Sequence, residues 1–214
     1  MASTLASATS SDAVTRHTTQ AEYGALRRPV FNSGQFMKPA TFHLFILLSL
    51  FPLLVWARGT YQEPQDFLSD SFNGQVPEPA VVWLTGERKQ RVREILGHDY
   101  PSLRIRYWRR DRRSAWILEE IGKDHPITVG VVIQDGQLER IKVLIFRESR
   151  GWEVRHPFFT NQFEGAELNN DSTLNKNIDG ISGATLSVRA LKKIAALALY
   201  LDSVMVKQHV ETSP

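Results

Sequence analysis

The chain has 214 residues, a net charge of +3 and no cysteine. Without cysteine there can be no disulfide, no cysteine-ligated iron–sulfur cluster, no haem attached through cysteine and no cysteine nucleophile. The length allows one domain with additional segments, and the small positive charge gives no reason to expect nucleic acid as a partner.

Residues 1–57 divide into two segments of different composition. Residues 1–39 are rich in Ser, Thr and Ala and lack apolar periodicity, which is typical of a disordered tail. Residues Ala40–Ala57 contain no Asp, Glu, Lys or Arg, and as a helix they would extend about 27 Å, at the short end for a bilayer crossing. We predict that this second segment anchors the protein in membrane lipid.

The distribution of basic residues predicts the orientation of this anchor. Arg16, Arg27, Arg28 and Lys38 precede it, whereas only Arg58 follows closely. The positive-inside rule then predicts a cytoplasmic tail and an extracytoplasmic, periplasmic domain at a bacterial inner membrane. There are two alternatives: a cleaved signal peptide, for which the leader is unusually long, and a buried core helix, for which the run lacks a polar face.

A linker and two helices are predicted next. Residues 58–84 contain several prolines and polar side chains, which favour a linker, with one short helix over Glu63–Phe72. A second helix is predicted over Gly86–Leu96, because a threonine that can cap it precedes it and a glycine follows it. We predict that the folded domain occupies residues 85–206.

Two strands and a charged turn follow. Leu103–Trp108 and Ala115–Ile121 have the composition of strands, and the basic segment between them favours a tight turn. Six arginines lie between Arg104 and Arg113. A solvated hairpin tip is the ordinary interpretation, and contact with anionic lipid head groups or an acidic partner is the functional one. We expect two acidic residues of the second strand to neutralise part of this charge: Glu119 and Glu120.

The firmest structural signal is a β-hairpin over residues 127–146. Two β-rich runs are joined by Asp135-Gly136, which favours a type I′ turn. Alternation predicts one shared apolar face on each strand: Ile127, Val129, Val131 and Ile133 on the first, and Ile141, Val143 and Ile145 on the second. We predict an α+β fold in which this hairpin is the centre of an antiparallel sheet, with a helix over Leu186–Val204 packed on it.

A loop of small residues leads into that helix. Gly180 and Gly183 flank Ser182, and Ala184 and Thr185 follow. Glycine allows positive φ and close approach of the backbone, and the N–H groups and dipole at a helix start favour an anion such as phosphate. The alternative is an ordinary helix start, with Ser182 as the N-cap and the glycines in a turn.

The segment Asp179-Gly-Ile-Ser-Gly-Ala-Thr185 resembles the flavinylation motif of the FMN-binding domain. That domain occurs in the covalent-flavin subunits of the Na⁺-translocating NADH:quinone reductase and of Rnf-type complexes, and in small membrane-anchored proteins. Two further features of the family precede the motif in the family's order: the loop Glu148–Gly151 after a strand, and the aromatic stretch Phe159–Gly165. The resemblance covers roughly residues 120–205. It departs from the family's usual E-T-P-G-L-G loop at Ser149, Arg150 and Trp152.

The resemblance implies a covalent cofactor, FMN, joined by a phosphoester to the Thr185 hydroxyl. A separate flavin transferase would attach it, because the sequence offers no obvious base beside this threonine. Ser182, Gly183 and Ala184 would leave room for the phosphate. Asp179 would order the loop or be recognised by the transferase, unless it only initiates the turn.

The resemblance also implies a wall that faces the flavin ring. We assign it to the loop from Glu148 to Trp152, with these contact residues: Glu148, Ser149, Gly151 and Trp152. Trp152 would stack on the ring, although core packing is an equally ordinary role for it. The weaker candidates are His156, Phe158 and Phe163.

The function implied by the resemblance is that of a membrane-anchored, extracytoplasmic electron-transfer flavoprotein, a redox module more than a complete enzyme. No haem ligand pattern and no second transmembrane segment is evident in the sequence, so a membrane redox partner is expected. One alternative is a flavin-dependent reductase with its own small substrate, bound beside Arg150, Arg155 or His156. The other is a non-redox assembly protein of the same fold. We assign no catalytic residue and no metal ligand.

Overall fold

Five antiparallel strands form one sheet in the computed structural model, which describes residues 59–212 and the side chains as far as residue 207. The spatial order follows the chain: β1 Pro79–Trp83, β2 Arg104–Arg110, β3 Arg113–Ile121, β4 Pro126–Gln134 and β5 Gln137–Phe146. The predicted tail and anchor, residues 1–39 and 40–57, lie outside the described residues.

Within residues 59–212, four α-helices accompany the sheet: α1 Pro64–Ser71, α2 Gly86–Leu96, α3 Pro157–Thr160 and α4 Thr185–Thr212. Two short 3-10 helices, Trp152–Arg155 and Asn161–Phe163, flank α3. The predicted α+β fold, an antiparallel sheet with packed helices, is confirmed. None of the helices within residues 59–212 is both long and apolar enough to cross a membrane.

The main core lies between the sheet and helix α4. Trp116, Leu118 and Val129 point from the sheet toward Leu191 and Ile194 of the helix, and all five side chains are fully buried. Burying an aliphatic or aromatic side chain of this size contributes about 1.5–3 kcal/mol. Helix α4 is apolar around more than one stripe because it packs against α2 as well as the sheet.

A smaller core covers part of the opposite face of the sheet. Phe67 and Leu68 of α1 pack there against Val132 and Leu144. Gly130 makes room for the aromatic ring, because a Cβ atom at this position would lie only 2.5 Å from Phe67 Cζ. The predicted helix over Glu63–Phe72 is therefore confirmed and is part of the folded unit.

The predicted hairpin is confirmed, but its place in the sheet is not. Asp135 and Gly136 have φ values of 57° and 80°, as a type I′ turn requires. The central strand is β3, because β1 and β2 add to its other side, and the β4–β5 hairpin forms one edge. That edge is partly covered by Thr60, which bridges to Ile145, and by Ala166, which bridges to Leu138.

The predicted shared face of β5 is wrong at one residue. Ile141 and Val143 belong to the main core, whereas Ile145 packs against the smaller core on the other face. The cause is a shift of register, in which Thr128 pairs with Ile145 but the next residue, Val129, pairs with Val143. An extra residue in one strand reverses the alternation of faces beyond it.

The segment 58–84, predicted as a linker, contributes helix α1 and the edge strand β1 to the folded unit. Strand β1 pairs along its length with β2, from Pro79 opposite Trp108 to Trp83 opposite Arg104. Proline suggests a break in a sequence, but at the first residue of an edge strand it removes no required hydrogen bond.

The arginines around the β2–β3 turn are neutralised differently from our prediction. Arg109 lies 3.2 Å from the buried carboxylate of Asp202, and two further pairs join Arg112 to Asp135 and Arg113 to Glu139. The predicted partners make other contacts: Glu119 accepts a hydrogen bond from Thr128 Oγ1, and Glu120 contacts His98 and Lys193.

Candidate functional site

A tight turn immediately precedes helix α4. The Ala184 N–H donates to the Ile181 carbonyl over 3.0 Å, which closes a four-residue β-turn. Gly183 is the third residue of this turn and has φ +82°, a conformation that a type II turn requires and that side chains other than glycine disfavour. Gly180 has no positive φ, so of the two predicted glycines only Gly183 is required by its conformation.

Thr185 is the first residue of helix α4, and its side chain is exposed. By helix geometry, the N–H groups of Thr185, Leu186 and Ser187 have no acceptor within the helix. The first turn carries no acidic residue that would compete for them. Ala184 is buried and fixes the backbone, whereas a Cβ atom added at Gly183 would meet no atom within 4 Å. The hydroxyl of Thr185 therefore lies beside open space at a positive helix terminus.

A cleft of about 580 Å³ opens at this helix start. Three segments far apart in sequence line it: the β3–β4 loop, the loop after β5 and the first residues of α4. Its lining residues are Lys123, Glu148, Ser149, Arg150, Gly183, Ala184, Thr185, Leu186 and Ser187. The volume lies within the range of small-molecule sites, and two of the three charged side chains are basic.

Glu148 fixes the β3–β4 loop. Its Oε1 accepts backbone N–H bonds from Lys123, from Asp124 at 2.7 Å and from His125 at 2.9 Å. Gly122 passes so close that a Cβ atom there would lie 2.8 Å from the same oxygen. Partial burial raises the pKa of this carboxyl, but the three N–H groups outweigh burial and hold the pKa below its usual value. We therefore assign Glu148 to positioning the cleft wall.

Gly151 joins the loop after β5 to helix α4. It has φ +85°, and a Cβ atom at this position would lie 2.5 Å from Ser187 Oγ. Both the backbone conformation and the close approach therefore require glycine. The predicted loop and the predicted helix start are thus in direct contact, which places Ser149 and Arg150 across the cleft from Thr185.

Trp152 lies in an aromatic and basic cluster, and it is not among the described residues that line the cleft. The residue is 43% exposed, and its ring lies 5.3 Å from the His156 ring and 5.1 Å from the Arg155 guanidinium carbon. Arg155 in turn lies 4.2 Å from the centre of the Tyr61 ring. The weaker candidates differ in access, since Phe158 is exposed whereas Phe163 is fully buried in the core and cannot face a ligand.

Asp179 is held through its backbone. Its N–H donates to Gln162 Oε1 over 2.7 Å, and its carboxylate accepts a weaker bond from Asn177 Nδ2 at 3.3 Å. The aromatic stretch Phe159–Gly165 therefore reaches the loop that precedes the helix, and Gln162 is the contact. Neither Gln162 nor Lys123 was predicted. Gln162 lies in a stretch that the resemblance singled out, whereas Lys123 is separated from Thr185 by most of the domain and only the fold brings it there.

The comparison with known families bears on the same segments. Residues 122–200 match the family model of the FMN-binding domain. This part of the chain is therefore similar to the FMN-binding domain. The predicted resemblance is thereby confirmed, and FMN is supported as the ligand. The match begins at the loop that Glu148 holds and includes both walls of the cleft, whereas strands β1–β3 precede it. A search of curated proteins found no match to the chain.

The residues of the cleft fit the phosphate end of FMN. The three free N–H groups at the helix start form the positive end of the helix dipole and face the cleft, and Gly183 leaves space beside them. Lys123 and Arg150 supply positive charge from the two opposite loops. Three predicted residues, Gly183, Ala184 and Thr185, come together with Ser149 here. Ser182, Trp152 and Asp179 are not among the described residues that line the cleft.

Proposed function

We propose that the protein is a membrane-anchored, extracytoplasmic electron-transfer flavoprotein that carries FMN through a phosphoester to Thr185. The observation that carries the proposal is the position of this residue. Thr185 is the first residue of the long helix in the part similar to the FMN-binding domain, and its exposed hydroxyl borders the cleft.

Backbone and side chains of the cleft would hold the phosphate. A phosphodiester keeps one negative charge, which the free N–H groups of the first helical turn would partly balance. Arg150 and Lys123 would add charge from the facing loops, and guanidinium donors suit phosphate oxygens particularly well. Arg150, which lies where this chain departs from the family's usual loop sequence, would thus contribute a phosphate contact of its own.

The attachment step needs a second protein. The Thr185 hydroxyl would lose a proton and form a bond to phosphorus, while the bond from phosphorus to the second nucleotide of a dinucleotide donor breaks. The one carboxylate among the described lining residues of the cleft is Glu148, whose Oε1 accepts three N–H bonds and whose pKa is lowered. It is therefore a weak base, and a flavin transferase would supply the activation.

Once attached, FMN would supply the redox chemistry, and the protein would orient it and tune it. The exposed cleft suits a carrier that exchanges electrons with another protein. The predicted anchor at residues 40–57 would keep this carrier at the bacterial inner membrane, where a membrane redox partner would donate or accept the electrons.

The alternative of a reductase with its own substrate has less support. Of the basic residues that would bind such a substrate, Arg150 lines the cleft, whereas Arg155 and His156 belong to the cluster around Trp152. The cleft also contains no imidazole among its described lining residues to act as an acid at neutral pH. A non-redox assembly role would make Thr185 dispensable for function.

Flavin fluorescence in a denaturing gel tests the proposal. The full chain would be co-expressed with a flavin transferase, alongside Thr185→Ala and the control Ser149→Ala, which removes a hydroxyl from the facing wall of the same cleft. We expect fluorescent bands for the wild type and the control, and a dark band for Thr185→Ala. A dark wild-type band beside a labelled reference flavoprotein would contradict covalent attachment, and a fluorescent Thr185→Ala band would contradict the residue.

A further inference from the structure

The outer face of strands β1 and β2 carries an exposed apolar and basic surface. Val81 pairs with Arg106 and Trp83 pairs with Arg104, so these four side chains are cross-strand neighbours on one face. Val81 is 41% exposed and Trp83 is 54% exposed. We call these four residues the β1–β2 patch. Helix α1 packs on the same face against Val132 and Leu144 of the later strands, and its first residues, Pro64 and Gln65, line a groove beside the two arginines.

The two arginines of the patch differ from the others of this region. Arg104 and Arg106 form no ion pair within residues 59–207, whereas Arg109, Arg112 and Arg113 each contact a carboxylate. A groove of about 280 Å³ runs beside them, with Trp108 also in its wall. The patch thus combines uncompensated positive charge with exposed apolar and aromatic surface.

The patch lies at the end of the sheet where the described chain begins. Because neighbouring strands are antiparallel, β1 ends at the same end of the sheet where β5 ends and β4 begins. Gly59 is fixed there, since its carbonyl accepts the Phe146 N–H over 2.7 Å. The Lys123 loop and the Thr185 cleft also lie at this end. One residue separates Gly59 from the predicted anchor, and one extended residue spans about 3.5 Å.

We propose that the β1–β2 patch docks on the anionic phospholipid surface of the membrane in which the chain is anchored. Tryptophan partitions to the level of lipid head groups, and arginine reaches phosphates while its stem covers apolar surface. The tether keeps a lipid surface within reach at high effective concentration, which favours lipid over an acidic protein as the occupant. Docking would turn the cleft toward the membrane and toward a partner embedded in it. The inference rests on the proposed anchor but not on the flavin.

A single label tests the docking. The chain has no cysteine, so Val81→Cys gives one site for a polarity-sensitive fluorophore. The labelled full chain would be placed in nanodiscs of phosphatidylcholine with and without phosphatidylglycerol. We expect a blue shift of the emission and protection from aqueous iodide only in the anionic discs. The same label at Gln137, beside the turn at the opposite end of the sheet, should remain quenchable in both.

Charge neutralisation tests the contribution of the arginines. Each basic residue near an anionic surface changes the docked-to-free ratio by about fivefold, so Arg104→Gln with Arg106→Gln should reduce it by about 25-fold and restore quenching. The matched control, Arg112→Gln with Lys207→Gln, removes the same net charge near the opposite end of the sheet and should leave the protection unchanged.

Four results would overturn the inference. The Val81 label could be quenched equally in both discs, or protected equally in both, which would remove the role of anionic lipid. Protection that appears only after membrane proteins are added would identify a protein surface as the occupant. A chain that does not co-elute with the discs would contradict the anchor and this inference together. In-gel flavin fluorescence of the same samples reports separately on the covalent flavin.

Discussion

Replacing Glu148 with glutamine tests the assignment of this residue to positioning. One carboxylate oxygen accepts N–H bonds from Lys123, Asp124 and His125, and Gly122 packs against that oxygen. Glu148→Gln keeps the size of the side chain and one acceptor but removes the charge. The β3–β4 loop would then be held less firmly, and Lys123 with it.

The expected loss of stability follows from these bonds. A hydrogen bond to a charged acceptor contributes about 1.5–3 kcal/mol, and the amide oxygen of glutamine still accepts neutral bonds. Because the carboxylate is partly exposed and solvent screens it, we expect a total loss of about 1–2 kcal/mol. For a urea dependence of about 2 kcal/mol per M, the unfolding midpoint should fall by about 0.5–1 M.

The dependence on pH distinguishes charge from shape. The pKa of Glu148 is lower in the folded state than in the unfolded state, so its contribution is present above the unfolded pKa, about 4.3, and is lost as the pH falls through the folded pKa. The difference between the wild type and Glu148→Gln should therefore shrink between pH 7 and pH 3. Urea unfolding of the full chain in detergent micelles measures it.

A control lies in the 3-10 helix that follows the Glu148 loop. Glu153 makes no side-chain hydrogen bond among the described residues, so Glu153→Gln should change the midpoint little at any pH. A loss in Glu148→Gln that is independent of pH, or no larger than in the control, would refute the reasoning. Any loss of flavin loading in Glu148→Gln should be indirect, through the disturbed cleft wall, because Glu148 itself is not expected to contact the phosphate.

Two further predictions concern contacts between elements. Gly151→Ala should lower the free energy of unfolding by about 1–2 kcal/mol because of its positive φ, with an additional loss from the close contact between the new Cβ and Ser187 Oγ. Adding Ser187→Ala to this variant should recover only the loss caused by that contact, as urea unfolding would show. Lys193→Met leaves the Glu120 carboxylate, which is 4% exposed, with His98 as its remaining partner, and should cost about 3–5 kcal/mol at pH 8. Hydrogen bonds with the Asp99 carbonyl and Glu120 raise the pKa of His98. The imidazolium therefore stabilises the fold below pH about 6.5, and this stabilisation is lost as the pH rises through the folded pKa. The cost of Lys193→Met should accordingly be smaller at pH 5.5. A cost that does not vary with pH would contradict a role for His98 in holding Glu120.

Local signals in the sequence were sufficient for most elements. The Asp135-Gly136 turn, the helix over Gly86–Leu96 and the long helix from Thr185 each have a pattern complete within a few residues. Strand β1 was missed because Pro79 reads as a break until a partner strand shows that the position is an edge. The face of Ile145 was wrong because a bulge depends on the pairing of two strands, and alternation within one strand cannot reveal it.

In the candidate site, too, the residues of local patterns were predictable, and those that depend on long-range contacts were not. Thr185 and Gly183 were predictable because a turn into a helix start is a local pattern, and the family resemblance named the hydroxyl. The roles of Glu148 and Lys123 were not predictable, because each depends on a loop that the sheet brings close. The resemblance assigned the Glu148 carboxylate to a ligand contact, yet one of its oxygens accepts three backbone N–H bonds. The cleft is therefore built by long-range backbone contacts, and its chemistry is presented by a short local motif.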